Sequence, residues 1–157
     1  MTKDCLFCQE KFQQNSIYEN DYFYMIIDQN PVNPGHLLII PKRHIQTYFE
    51  LTKEEFHHLQ EMILKAKELC HTEEVKEFYQ KTIETIQNKT AKQWCQLAVD
   101  NWDKEITGYN LGTNNGLSAG QTIFHLHIHL IPRFDSDVTD PTGGIRFVIP
   151  ERANYRK

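Results

Sequence analysis

Glycine and proline are missing from the middle of this chain: all seven glycines and all six prolines of its 157 residues lie outside residues 42–107. That absence excludes a middle built from tight turns and hairpins and leaves helix as its reading. Basic residues are not in excess, with 17 Lys and Arg against 21 Asp and Glu and a formal net charge of −4. A basic surface for duplex nucleic acid is thereby excluded, and an anionic ligand must be met by a few aimed groups. No run approaches the ~20 apolar residues of a membrane span, and the opening "MTKDCLFCQE" lacks the apolar core of a signal peptide. Four cysteines, two of them in Cys5-x-x-Cys8, are too few for a disulfide framework and read as reduced thiols. The expectation is a single cytoplasmic domain over residues 1–157, large enough to bury its own core.

What is present divides cleanly. "LTKEEFHHLQEMILKAKELC" opens with the capping-box pattern Thr52-x-x-Glu55, and Phe56, Leu59, Ile63, Ala66 and Cys70 follow at helical spacing. A second helical pattern runs through Val75, Phe78, Tyr79, Ile83 and Ile86. A third is expected from a Thr90-x-x-Gln93 box, burying Trp94, Leu97 and Ala98. The helical segment thus covers about 52–104, with Cys70 and Cys95 in the core. The flanks read as strands: 22–28 and 36–41 around the turn "QNPVNPG", then 108–114 and 122–131 around "NGLSAGQ". A loop follows from Phe134, with a short strand and charged tail in "IRFVIPERANYRK". The fold class is α+β, an antiparallel β-sheet with helices packed on one side.

The chemistry lies in "GQTIFHLHIHLIPR", residues 120–133, where His125, His127 and His129 occupy alternate positions. Alternate side chains of a strand share a face at ~6.6 Å intervals. The three imidazoles then point one way with Ile123 and Ile131, while Thr122, Phe124, Leu126, Ile128 and Leu130 point into a core. Burial alone does not account for three imidazoles, each of which needs polar partners. Two chemistries fit. Histidines at i and i+2 converge on a metal, or one imidazole is a nucleophile whose neighbours orient it and handle protons. Periodicity does not choose between them.

This stretch resembles the His-φ-His-φ-His-φ-φ signature of the histidine-triad (HIT) superfamily of nucleotide hydrolases and transferases, and "NPVNPGHLLIIPKRH" (30–44) is similar to that family's second hallmark. The resemblance spans roughly residues 5–133, with an extended helical insertion and, at 134–157, a C-terminal tail beyond it. It implies the HIT-like fold, a homodimer, a purine ribonucleotide substrate and hydrolysis at the α-phosphorus through a nucleotidyl-histidine intermediate, with no catalytic metal required. It makes His127 the nucleophile, His129 the group that assists the leaving group, and His36 the fourth histidine supporting the triad. It assigns Asp28 to the ribose hydroxyls, Asn114, Gln121 and Thr122 to phosphate or leaving group, and Ile27, with Ile17 and Tyr18, to the wall around the base.

The resemblance further implies a structural zinc held by Cys5, Cys8, His44 and His125, as in some bacterial members. "AGQT" and "HLIPR" lean toward the dinucleoside polyphosphate hydrolases, with diadenosine tetraphosphate as the model substrate; nucleoside phosphoramidates are the alternative, and His129 disfavours the transferases. Two other readings stay open: a non-catalytic nucleotide-binding module, and a metal-dependent phosphohydrolase using the His face as ligands.

Overall fold

Phe23, Met25 and Ile27 alternate with Tyr24 and Ile26 along one strand, and all five are buried. That pattern requires cover on both faces of the sheet, and the computed structural model, which describes residues 5–156, supplies it. The elements run α1 (Glu10–Gln14), β1 (Tyr18–Glu19), β2 (Phe23–Ile27), β3 (Leu37–Pro41), α2 (Lys53–Leu69), α3 (Glu73–Thr85), α4 (Lys89–Asp100), β4 (Ile106–Gly112) and β5 (Ile128–Phe134). The sheet has the order β1-β2-β3-β5-β4 and every pairing is antiparallel. The α+β class is as expected.

One face carries Phe23, Met25, Ile27, Leu37, Ile39, Leu126, Ile128 and Leu130, packed against Leu59, Met62, Ala66, Val75, Tyr79, Cys95, Ala98 and Trp102 of the helical segment. The other carries Tyr24, Ile26, Leu38 and Ile40 under Phe7, with Cys5, Phe12 and Ile123 at its margin. Cys70 and Cys95 are core residues, and burial raises both thiols to about 11.

Four local expectations change. The triad strand starts at Ile128, so of the three histidines only His129 lies on it. The ladder with β3 ends at Ile39↔Ile128, and the Pro41 carbonyl further along accepts from the His125 ring Nε2 instead, at 2.8 Å. Strand alternation therefore lapses before Leu126, and Phe124, expected in the core, is 48% exposed. The third helix is capped by Asn88, whose Oδ1 accepts from Ala91 N, with Thr90 and Gln93 inside it. Its buried stripe is Ala91, Cys95 and Ala98, small residues that suit close approach to a neighbouring helix, while Trp94 and Leu97 are exposed. The expected C-terminal strand is instead two 3₁₀ turns, Gly144–Val148 and Pro150–Arg152. Gly143 and Gly144 both take positive φ there, which interrupts an extended chain. A two-residue strand, β1, was not expected.

The capping box of α2 forms as expected, and more is attached to it. Glu55 is 4% exposed. Its Oε1 accepts from Arg43 Nε at 2.9 Å, and its Oε2 accepts from Arg43 Nη2 at 2.9 Å and from Thr52 N at 2.7 Å. The Arg43 hydrogen bonds, against the opposing effect of burial, hold its carboxyl at about 2, below the ordinary 4.5. A carboxyl lowered by folding stabilises above its unfolded value, and the benefit disappears as pH falls toward the folded value. Glu55→Gln is expected to cost ~1–3 kcal/mol at neutral pH. Urea unfolding of the two proteins should differ fully above pH ~4.5 and converge near pH ~2. A pH-independent gap would remove the ion pair as its source.

Candidate active site

His36 precedes β3 and follows Gly35, whose φ is +79°; a side chain at 35 would overlap the Cys70 carbonyl oxygen. This close approach and left-handed turn set the entry to β3. The buried Tyr79 hydroxyl donates to the His36 carbonyl at 2.8 Å and fixes the backbone from the helical side. In register, His129 opposes Leu38 on β3 and Gly112 on β4. The pairing brings His36 and His129 together, although they are 93 residues apart.

Each ring is held so that its tautomer can be deduced from its partners. His36 Nδ1 accepts from Val32 N at 3.2 Å, so its proton is on Nε2, 2.9 Å from His129 Nδ1. His129 Nδ1 then accepts, and its own proton sits on Nε2. His127 Nδ1 is 2.8 Å from the His125 carbonyl oxygen and must donate to it, which leaves Nε2 with an open lone pair. His125 Nε2 donates to the Pro41 carbonyl, leaving Nδ1 bare, 3.4 Å from Cys5 Sγ and 3.5 Å from Cys8 Sγ. Burial disfavours the charged form of three of them: it lowers His125 to about 4 and lowers His36 and His129 as well.

Asp28 lies at the same spot. Its Oδ2 is 3.6 Å from His36 Nε2 and 3.9 Å from His129 Nδ1, while Oδ1 accepts from Asn30 N at 2.8 Å. The Thr113 hydroxyl donates to the His127 carbonyl at 2.8 Å, and Asn114, half-buried, is the next residue along the chain. Thr122 is exposed at the end of the 116–121 loop.

Two expected binding residues have other work. Gln121 is buried and its amide is engaged by backbone: Oε1 accepts from Gly116 N, and Nε2 donates to the carbonyls of Gln46 and Ile123. It braces the loop rather than facing a phosphate, because a fully buried amide needs its partners inside the protein. Ile27 belongs to the core under the helices, with Tyr18 and Ile17 packed at that core's edge. Its neighbour Ile26 is the residue that strand alternation puts on the histidine side. Sequence reasoning missed Phe7, whose ring meets His127 edge-on at 5.4 Å and His125 at 6.0 Å. Its place between the two cysteines of "CLFC" is the signal that connects it to the site.

The ligand atoms of Cys5, Cys8, His44 and His125 all lie within 4.8 Å of one another. Cys8 Sγ is also 3.3 Å from His44 Nδ1. Tetrahedral zinc with sulfur at ~2.3 Å and nitrogen at ~2.05 Å separates such atoms by ~3.5 Å, close to these distances. The donor set and spacing fit zinc. Asp28, His36 and His129 form a second compact group, but a ring proton already bridges its two imidazoles. His127 belongs to neither group.

Fold and site thus define a class: an α+β open-sheet protein with an imidazole whose Nε2 lone pair is open, beside a hydrogen-bonded His–His–Asp cluster and a separate Cys/His group. Comparison with known proteins completes the assignment. The family model described as "HIT domain" matches residues 9–136, and the chain belongs to that family. It is 31% identical over 137 residues to an uncharacterized HIT-like protein of Methanocaldococcus jannaschii, covering 85% of this chain and 81% of the relative. It is 32% identical over 143 residues to the adenylylsulfatase HINT3 of Arabidopsis thaliana, covering 87% of this chain and 56% of that protein. A crystal structure of a HIT family protein from Bacillus anthracis aligns with a TM-score of 0.57 at 28% identity, covering 87% of this chain and 78% of that one. Among the described residues, no helix is long and apolar enough to cross a membrane.

Proposed function

We propose that this HIT protein hydrolyses a nucleotidyl substrate at its α-phosphorus, with His127 as nucleophile and a dinucleoside polyphosphate as the preferred substrate class. The observation that carries the reading is the Nδ1–H donation from His127 to the His125 carbonyl, which presents the Nε2 lone pair. In the first step Nε2 forms a bond to phosphorus and the P–O bond to the leaving group breaks. The leaving group departs with that electron pair as an anion, its charge met by the His129 Nε2–H. Water then attacks phosphorus and gives up a proton to solvent, and the N–P pair returns to His127. His36 Nε2–H holds His129 in the donating tautomer. Because burial lowers the His129 pKa, the ring donates a hydrogen bond rather than a proton at neutral pH. That suits a phosphate leaving group better than the amine of a phosphoramidate. That the Arabidopsis relative is an adenylylsulfatase supports a nucleotidyl substrate.

In this reading Asp28 bonds the ribose hydroxyls, and Asn114 and Thr122 contact phosphate. Zinc binds Cys5, Cys8, His44 and His125 as a structural ion that ties the N-terminal segment to the triad. The protein is a cytoplasmic homodimer, with the edge strand β4 as the natural pairing surface. The test is turnover of diadenosine tetraphosphate and adenosine 5′-phosphoramidate by purified protein, with and without EDTA, with acid-quench trapping of the nucleotidyl adduct. EDTA-resistant turnover with an adduct supports the proposal, and preference for the dinucleotide supports the substrate class. Loss of catalysis in EDTA while zinc stays bound would favour a metal-dependent hydrolase. AMP binding without turnover would make the protein a binding module.

A further inference from the structure

A cavity of about 460 Å³ lies beyond His129 on the histidine side of the sheet. His129, Ile131 and Arg133 alternate onto that side of β5, and Asn110 opposes Ile131 across β4. Ile131, Arg133 and Asn110 line its floor, Val32 and Asn33 one wall, and Val138, Gly144 and Phe147 of the C-terminal segment the other. The cavity starts one alternation, ~6.6 Å, from His129. It also shares the loop whose Val32 N–H orients His36, and its volume is in the range of small-ligand sites.

Its polar groups are set by their partners. Asn110 Oδ1 accepts from Arg133 Nη1 at 2.6 Å, so its Nδ2 is the other end of the amide; that nitrogen lies on the Gly144 side, 3.9 Å from where a Cβ would stand. Asn33 Nδ2 donates to the Pro132 carbonyl at 2.9 Å and to Asp137 Oδ2 at 2.8 Å, leaving Oδ1 as an acceptor. Neither Asn110 Nδ2 nor Asn33 Oδ1 has a partner among the described residues. The charges in the cavity are already engaged: Arg133 is paired through two nitrogens with Asp137, and Asp140 accepts from Thr142 N and Asn154 Nδ2. The cavity therefore offers no uncommitted cation to a phosphate. Apolar walls from Val32, Ile131, Val138 and Phe147 stand beside the Asn110 amide donor, the Asn33 amide acceptor and the Thr139 hydroxyl. A neutral planar ring with a hydrogen-bonding edge matches that set, and among nucleotide substrates the group of that description is the base.

We propose that this cavity, walled by the C-terminal segment, is a nucleobase subsite. It deepens the nucleotidyl-substrate reading and rests on it for the identity of the ligand. The base belongs either to the nucleotide under attack or to the leaving group, and the test separates these. Asn110→Asp keeps an oxygen for Arg133 but turns the amide donor into an acceptor; Phe147→Ala removes a wall without touching that network. Calorimetric titrations of AMP, non-hydrolysable diadenosine tetraphosphate and ribose 5-phosphate are compared on wild type and both variants.

Weakening of the adenine-bearing ligands by about ten- to a hundredfold, with ribose 5-phosphate unchanged, supports the subsite. If AMP and the dinucleotide weaken together, the cavity takes the base of the attacked nucleotide. If only the dinucleotide weakens, it takes that of the leaving group. Unchanged binding of both, or equal weakening of ribose 5-phosphate, overturns the proposal. Because the readout is binding, a catalytically silent protein leaves the test intact, and normal turnover with unaffected binding in the variants rejects the subsite alone.

Discussion

His127→Ala is expected to reduce kcat for diadenosine tetraphosphate by at least ~10⁴-fold while AMP still binds. The size of the loss follows from the role. A group that forms the covalent intermediate has no substitute, whereas one that meets developing charge is partly replaced by water. His129→Ala is accordingly expected to lose less, ~10²–10⁴-fold. The trapped adduct should vanish in His127→Ala and persist in His129→Ala, a difference that a general loosening of the site does not produce. Thermal unfolding of both variants beside wild type guards against misfolding, since His127 is 7% exposed and packs against Phe7. Full activity in His127→Ala would end the proposed mechanism.

Zinc is expected to bind one ion per chain and to raise stability substantially. A ligand that binds only the folded state stabilises by ~4 kcal/mol at a thousandfold excess over its Kd. For a chain of this size each kcal/mol moves Tm by ~2–4 °C, so chelation should lower Tm by ~10 °C. Cys8→Ser removes a sulfur that contacts both His44 and His125, and it should lose the metal and become insensitive to chelator. An effect on the reaction is also expected. Phe7 lies between the two cysteines and meets His127, and the His125 carbonyl that sets the His127 tautomer belongs to a residue of the Cys/His group. Without zinc, kcat should fall several-fold with KM nearly unchanged, since the nucleophile's orientation is disturbed and the nucleotide contacts are not. Equal Tm with and without chelator, together with metal analysis showing no zinc, would leave Cys5 and Cys8 as free thiols.

Much of the architecture was legible along the chain, for identifiable reasons. The Thr52–Glu55 box and the Leu59, Ala66, Cys70 spacing mark α2 because helix caps and faces are set by residues three and four apart. The errors have one origin. The spacing of Thr90, Gln93, Trp94 and Leu97 is equally helical, but the face that packs was chosen by its neighbours, and it is that of Ala91, Cys95 and Ala98. The alternating pattern continues unbroken back to Thr122, yet the partner strand ends at Pro41 and the His125 ring takes the vacant carbonyl. Gln121 carries no local sign of burial; its partners, Gln46 and Gly116, come from separate turns.

The sequence by itself determined the helical middle with strands on either side of it, that three imidazoles would share a neighbourhood, and that thiols and imidazoles suited to zinc are present. Residue type and short-range periodicity act between near neighbours, and near neighbours are what a sequence displays. Tertiary structure decided which nitrogen of each imidazole is free. That depends on the His36–His129 contact across 93 residues, the Cys5–His125 contact across 120 and the Pro41 carbonyl beneath His125 across 84. It also made a cavity of β4, β5, the β2–β3 loop and the C-terminal segment, which no local pattern joins. Contacts of that separation follow from strand order and from which backbone groups remain unpaired once the sheet has closed, and both are properties of the whole fold.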